Sequence, residues 1–357
     1  MDAGRALNVL SLNLGSSSLK YSVHAISARN AGERLSRDVE AHPDPASAAQ
    51  AASAAIADAV SVCGAIDAVG HRFVFGGPDD APVRVTPAVI ERLQSLQSLD
   101  PLHLPGELAV IEQSRRQLSD VPNVACFDTA FFHDMPQTAQ VLPVPVHDKL
   151  LRRYGFHGLS YESIVHRLGA GLPSKTIVAH LGNGASAAAL LDGKPVESTM
   201  GFSPLSGLIM STRPGDLDPG VVLYLLERDA MDAAALRDML ETRSGLTALS
   251  GGEPDVQKLC GRNDEAAKFA VEMFVRSVAK AIGSLATSLN GVDMLAFTGG
   301  IGEHNAAVRE EITARVRFLN PAMDVCVLPS DENLAIALRA AQVVNTEREP
   351  GYGSLRS

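Results

Sequence analysis

Residues 177–191 read IVAHLGNGASAAALL, an apolar run interrupted once by His-Leu-Gly-Asn-Gly and then resumed. Two short strands joined by a glycine turn are expected here, because Ile, Val, Leu and Ala flank a turn-forming Asn-Gly pair. Gly182 and Gly184 carry no Cβ and can take φ > 0, so their N–H groups can approach an anion that a larger residue would hold off. Alone, the segment reads better as an ordinary hairpin with an Asn-Gly tip. Its recurrence decides: residues 9–23, VLSLNLGSSSLKYSV, again set a Leu-Gly turn with small polar residues between apolar runs. Leu14-Gly15 and Leu181-Gly182 stand near the start of each half of the chain. A long-period similarity of this kind predicts two related domains, each offering a small-residue hairpin to a ligand held between them. A nucleoside triphosphate is the ligand that fits.

The 357 residues, 46% hydrophobic, suffice for about two domains. With 4% aromatic residues and no Trp, the composition is of an aliphatic α/β type. A net charge of −10 argues against nucleic acid or an anionic membrane surface as partner, so any anion site must be a local concentration of Arg, Lys and backbone N–H groups. Cys63, Cys126, Cys260 and Cys326 are scattered without CxxC spacing, which suggests neither a zinc site nor a disulfide framework. The start, MDAGRALNVLSLN, is too short in its apolar run for a signal peptide, and no run approaches transmembrane length. A cytoplasmic protein is expected.

Outward from the central turn, residues 46–62 read as an Ala-rich helix, and Ala68 to Phe75 as a strand that delivers His71-Arg72 to the Gly76-Gly77-Pro78 breaker. Thr86-Pro87 is an N-cap and first-turn pair for a helix with Val89, Ile90, Leu93 and Leu96 on one face; Pro101 stops it, and a second helix follows from about Glu107 to Leu118. Val124 to Phe127 is a buried strand with Asp128 at its exit, and strand exits are where α/β sheets bind ligands. A helix from Ser160 to Leu168 leads to the central hairpin. Residues 200–220, MGFSPLSGLIMSTRPGDLDPG, are too rich in Gly, Pro, Ser and Asp for regular structure, and a loop of that length is usually functional. The longest helix, Asp264 to Leu289, carries an apolar stripe of Phe274, Val278, Ile282, Leu285 and Leu289 suited to a core or a dimer interface. Met294 to Thr298 is a strand, Gly299–Gly302 a tight turn and His304 onward a helix, an arrangement that binds phosphate or ribose oxygens. Val325 to Leu328 is the last strand, and Ser330 caps a helix to about Val344.

Three glycine turns, Lys20 beside the first, Arg72 and Arg213 in glycine-flanked motifs, three His at turn edges and Asp128 at a strand exit describe phosphoryl transfer, which needs cations and fixed donors around the migrating group. The motifs NLGSSSLK, GHRFVFGG, FDTAFF, RRYGFHG, HLGNG, MGFSPL, TRPGD, FTGGIGE and LPSDENLAIA follow in one order over nearly the whole chain. With them the sequence resembles the acetate kinases, within the actin, heat-shock chaperone and sugar kinase superfamily. The resemblance implies an α/β architecture, the duplicated actin-like ATPase (ribonuclease H-like) two-domain fold with the nucleotide in the interdomain cleft. An N-terminal domain 1–129 would be completed by the C-terminal helix 330–357, and 130–329 would form the nucleotide-binding domain.

The same resemblance implies roles. Asn13 and Glu332 associate with Mg²⁺, for which Mn²⁺ can substitute, and Lys20 contacts the nucleotide. Arg72 and Arg213 hold the acetate carboxylate and the migrating phosphoryl group, Asp128 positions or activates the acyl carboxylate, and His157 is a transition-state donor. His180, Leu181, Gly182, Asn183 and Gly184 form the phosphate-binding turn. Asp255, Val256 and Gln257, with Gly300, Ile301, Gly302, Glu303 and His304, match nucleoside-binding segments. Val74, Leu102, Phe156 and Pro204 match a small apolar acyl pocket, and His103 a histidine at the active-site edge. Leu104 and Glu107 stand where the family has Asn, Gln257 where it usually has Arg, His304 where it has Asn, and Phe75 and Tyr161 where it has His. The implied activity is ATP- and Mg²⁺-dependent acetate kinase, converting acetate and ATP to acetyl phosphate and ADP and back by direct in-line transfer. A homodimer without nucleic-acid or membrane partners is implied as well. The alternatives are a propionate or other short-chain acyl kinase and, from another class, a non-catalytic ATP-binding sensor. Retention of Arg72, Arg213, Asp128 and His157 speaks against the sensor.

Overall fold

LNVLSLNL, residues 7–14, sets apolar side chains on both faces of an extended segment, and the strand it forms is buried on both. A computed structural model describes residues 5–348 apart from 28–29, 80, 147 and 229–230. Contacts divide the chain into a first unit, 1–131 with 158–163 and 331–357, and a second unit, 132–157 with 164–330. Of the C-terminal helix expected over 330–357, residues 349–357 lie outside the described residues.

The first unit holds a six-stranded sheet of β1 Leu7–Leu14, β2 Ser18–Ile26, β3 Ala31–Glu40, β4 Ala68–Phe73, β5 Val83–Arg84 and β6 Asn123–Phe127, in the order β3-β2-β1-β4-β6-β5. β1, β2 and β3 form an antiparallel meander, β4 lies parallel beside β1, and β6 lies parallel beside β4. The second unit repeats this pattern with β7 Lys175–Leu181, β8 Ala185–Leu191, β9 Lys194–Ser198, β10 Met294–Thr298 and β11 Asp324–Val327. Its order is β11-β10-β7-β8-β9, with β7-β8-β9 the antiparallel meander and β10 and β11 parallel. The two hairpins picked out in the sequence are therefore the β1–β2 and β7–β8 turns, at equivalent places in one repeated topology.

Each face of the first sheet has its own cover. Leu10, Leu12 and Leu14 of β1 and Val69 of β4 pack under helix Pro45–Cys63 through Ala48, Ala51, Ala52, Ala55, Ile56 and Ala59. Asp44 starts that helix by accepting the Ser47 N–H at 3.0 Å. Length and composition alone would let this helix cross a membrane, contrary to the sequence expectation; here its apolar stripe is core. On the other face Leu7, Val9, Ala68, Val124 and Cys126 meet Ala335, Ile336, Ala337, Ala340, Ala341 and Val344 of the C-terminal helix Glu332–Arg348. A Cβ on Gly70 would stand 2.5 Å from Cγ2 of Ile336, so the bare backbone of β4 lets that helix lie close.

Two helix starts differ from expectation. The C-terminal helix is capped not by Ser330 but by Asp331, whose Oδ1 accepts the Leu334 N–H at 2.9 Å; the Ser330 N–H goes to Glu303 instead. Gly299–Gly302 are not a tight turn: Gly299–His304 is already helical, and helix Ala306–Val316 restarts behind Asn305, which accepts the Val308 N–H at 3.1 Å.

Ile336→Ala empties a fully buried position between the C-terminal helix and β4, and should cost about 3 to 4 kcal/mol of unfolding free energy. Denaturant titration measures it, and a loss below about 1 kcal/mol would show that the helix is not part of the core.

Candidate active site

Strand periodicity builds the first unit's part of the site. Leu7, Val9, Ser11 and Asn13 share one face of β1, and the last two meet the start of the C-terminal helix: the Ser11 hydroxyl donates to the Asn333 carbonyl at 2.7 Å, and Asn13 Nδ2 to Glu332 Oε2 at 2.8 Å. The same face continues through Ala68 and Gly70 to Arg72 on β4, and through Val124 and Cys126 to Asp128 beyond β6. Three parallel strands thus end side by side in an amide, a guanidinium and a carboxylate, beside one helix N-terminus.

Arg72 and Asp128 are one buried unit. Nε and Nη2 of Arg72 donate to Oδ2 of Asp128 at 3.0 and 2.7 Å, while Oδ1 accepts the Leu159 N–H at 3.3 Å. Side-chain exposure is 12% for Arg72 and 1% for Asp128. Nη1 of Arg72 donates to Asn13 Oδ1 at 3.3 Å. Burial opposes the Arg72 charge, but Asp128 and Glu332 outweigh it and hold the guanidinium ionised. Burial likewise pushes the Asp128 carboxyl up, against the pull of Arg72, and Glu332 adds to the upward push. Lys20, opposite Asn13 in the β1–β2 register, is exposed. Val74 is buried, its N–H held by Glu107; Leu102 is half-buried, and His103 pairs with Asp100 at 2.8 Å. Among the described residues no three His, Cys, Asp or Glu cluster as a metal cage. Asn13 meets Glu332 through its amide nitrogen, while its carbonyl oxygen accepts from Arg72; that carbonyl and the Glu332 carboxylate are hard oxygens of the kind a small divalent ion takes when phosphate and water supply the rest.

In the second unit His157 takes φ 60° and ψ 27°, left-handed values unusual for a non-glycine residue. Its ring stacks on that of His180, centroids 4.4 Å apart, and its Nδ1 lies 2.9 Å from the Ser186 hydroxyl. Ser186 was not singled out by sequence. The β7–β8 register sets it opposite His180, a signal available once the hairpin is drawn: a lone hydroxyl in an Ala-rich strand. Gly182 and Gly184 do not take positive φ; of their two expected properties the missing Cβ is the one used here. A Cβ on Gly184 would stand 3.3 Å from His157 Nε2 and 3.7 Å from Arg213 Nη1, so the ring, the guanidinium and the turn converge there. Gly182 donates its N–H to the Gly184 carbonyl at 3.1 Å.

The irregular stretch before helix Pro219–Arg228 carries Arg213. The Ser211 N–H donates to the Asn183 carbonyl at 3.2 Å, the Met210 N–H to the Arg213 carbonyl at 3.1 Å, and Arg213 Nη1 to the Pro204 carbonyl at 3.4 Å. Phe156 is 2% exposed.

The expected nucleoside residues have clear local tasks. Asp255 caps helix Val256–Cys260 by accepting the Gln257 and Lys258 N–H groups, and Gln257 Oε1 accepts from Asn305 at 3.1 Å. Val256 is 1% exposed, so its side chain is buried. Glu303 accepts the Gly299 N–H at 3.0 Å; Arg309 holds the Gly302 and Glu303 carbonyls, Ile301 accepts the Asn305 N–H, and His304 is exposed. Gly300 has open space where a Cβ would be. The glycine that this segment strictly needs is Gly299, at φ 77°, whose Cβ would stand 2.7 Å from the carbonyl oxygen of Leu181.

The Acetokinase family model matches residues 22–347. An acetate kinase of Rhodopseudomonas palustris is 45% identical over 267 residues, covering 72% of this chain and 67% of the relative. One of Agathobacter rectalis is 36% identical, covering 95% of this chain and all of the relative. Among solved structures, a propionate kinase from Francisella tularensis superposes with a TM-score of 0.83 at 28% identity, over 94% of this chain and all of the other.

Arg72→Ala strands a carboxylate that is 1% exposed, and the expected loss is about 3 kcal/mol of stability at pH 8. With Arg72 gone, Asp128 stays protonated to a higher pH in the folded protein than in the unfolded chain, so the loss should shrink as pH falls towards 5. Denaturant unfolding at the two pH values checks this; equal losses at both would mean that Asp128 is not the stranded group.

Proposed function

The chain belongs to the acetokinase family, and from that premise we infer that it is an acetate kinase, a phosphotransferase that passes the γ-phosphoryl group of ATP to acetate and returns it from acetyl phosphate to ADP. The single observation that carries the reading is the Arg72–Asp128 pair, set with Asn13 and Glu332 at three strand exits. Arg72 offers a fixed guanidinium to the acyl carboxylate, and Asp128, on the Nε side, holds its plane. In the second unit Arg213, His157, His180 and the backbone of Asn183–Gly184, in the turn that the Gly182 N–H closes onto the Gly184 carbonyl, supply donors for phosphoryl oxygens as charge spreads over them. The positive φ of His157 and its bond with Ser186 fix the imidazole before substrate arrives.

The family's reaction uses a divalent metal. We assign Mg²⁺, with Mn²⁺ as substitute, to Asn13 and Glu332, where it would draw negative charge from the β- and γ-phosphates. Lys20, the Asp255–Gln257 segment and Gly300–His304 are the proposed nucleotide contacts, through main chain alone at Val256. A cytoplasmic homodimer without nucleic-acid or membrane partners completes the proposal. Exposed Leu223 and Tyr224 on helix Pro219–Arg228 give a second copy an apolar surface. Formation of acetyl hydroxamate from acetate, ATP, Mg²⁺ and hydroxylamine tests the activity directly, and its absence would refute it.

Arg213→Ala should lower kcat by about 10³-fold, roughly 4 kcal/mol of transition-state stabilisation. Near-normal turnover would remove Arg213 from the reaction.

Val74, Leu102, Phe156 and Pro204 are proposed to bound the acyl group. Acetate should then exceed propionate in kcat/KM by a modest factor, since one methylene is worth about 1 to 3 kcal/mol, and exceed butyrate by far more. Preference for propionate would favour the propionate kinase reading, for which the Francisella neighbour is the supporting observation.

A further inference from the structure

Glu107 lies in the first turn of helix Leu104–Gln117 and is 2% exposed. Its Oε1 accepts the Val74 N–H at 3.0 Å, and its Oε2 is buried without a hydrogen-bond partner. Val74 follows Arg72 by two residues at the exit of β4, so this carboxyl pins the backbone that carries the substrate arginine. Among the described residues no cation is ion-paired with Glu107. Arg72 gives Nε and Nη2 to Asp128, and Nη1 to Asn13 and the Leu14 carbonyl.

The other charged groups around it mostly oppose its ionisation. Asp100, on the turn before the helix, is held by His103 through Oδ1 and leaves Oδ2 buried and unpartnered; Asp128 faces it from beyond β6, and only Arg72 favours the charge. Burial is the largest influence, Asp100 adds to it, and together they push the Glu107 carboxyl well above its ordinary value, with the Val74 N–H and Arg72 pulling back. A carboxylate with one neutral donor and no cation costs far more to bury than the neutral acid does.

We propose that Glu107 is a positioning residue of the acyl site: as the neutral acid it holds Val74 beside Arg72, and once it gives up its proton the site binds a carboxylate substrate poorly. The cause is charge. An ionised Glu107 adds a third negative group to the two, Asp128 and Glu332, that already act on Arg72, and offsets the positive potential that draws an anionic acyl donor or acceptor. Oε1 can accept from Val74 in either form, so ionisation acts on substrate affinity before it acts on the fold. The inference rests on the acetate kinase reading and assigns a proton-dependent step to its acyl half.

The test measures KM for acetate and for ATP separately, with kcat, from pH 6 to 9 in the full-length enzyme and in Glu107→Gln. In the unmodified enzyme KM for acetate should rise about tenfold across an alkaline limb while KM for ATP stays level. Glu107→Gln keeps an oxygen for the Val74 N–H and has no proton to lose, so its limb should be flat. Melting temperature supplies a second readout. A carboxyl whose folded value is raised binds its proton more tightly in the folded chain, so stability falls as pH climbs from the ordinary value of 4.5 through the folded one and then levels off. Glu107→Gln lacks that slope and should gain on the unmodified protein as pH rises. An unchanged alkaline limb in Glu107→Gln, or a level KM for acetate in the unmodified enzyme from pH 6 to 9, overturns this inference alone. No acetate phosphorylation at any pH overturns the acetate kinase reading with it.

Discussion

A guanidinium taken out of water must bring a carboxylate with it, and the bond between Arg72 and Asp128 is the constraint on which the first unit's site depends. Such a pair contributes little net stability, because desolvation of two charges consumes most of their attraction. What it secures is direction. With Nε and Nη2 tied to one oxygen of Asp128, and Asp128 tied in turn to the Leu159 N–H, the guanidinium cannot swing, and the plane it offers to an anion is fixed beforehand. Period-two alternation does the rest, since Asn13, Arg72 and Asp128 continue the faces that Val9, Ala68 and Val124 begin in the core.

The second unit fixes its donors by another route. A left-handed residue that is not glycine costs roughly 1 to 3 kcal/mol, and His157 is kept there by a ring stacked on His180 and bonded to Ser186. Gly184 leaves room for that ring and for Arg213 in the same place. Preorganisation here consists of strain and empty volume, where in the first unit it consists of charge.

The sequence made both hairpins legible, because a Leu-Gly turn between apolar runs is a local signal, and it placed Asp128 at a strand exit for the same reason. Of the two reasons it offered for Gly182 and Gly184, the missing Cβ holds and the freedom in φ goes unused; that His157 and Arg213, from distant parts of the chain, crowd Gly184 cannot be read from glycine alone. Leu159 and Ser186 were invisible because their bonds to Asp128 and His157 span about 30 residues, and neither belongs to a recognisable motif. Strand β3 was missed because only Leu35 is buried in AGERLSRDVE, an edge strand with a mostly wet face. Ser330 looked like a helix cap by residue type, yet Asp331, one position on, accepts the bond, and type does not separate two adjacent capping residues.

The Glu332–Arg348 helix also sets an order of events during synthesis. The ribosome releases β1, β4 and β6 early, yet the face bearing Leu7, Val9, Ala68 and Val124 has no cover until the last described residues emerge. All of the second unit, from Phe132 to Ser330, is made before that helix appears. The usual sequence of N-terminal part first is thereby inverted: the unit begun first is finished last, and in the interval its bare aliphatic face must be kept from other nascent chains.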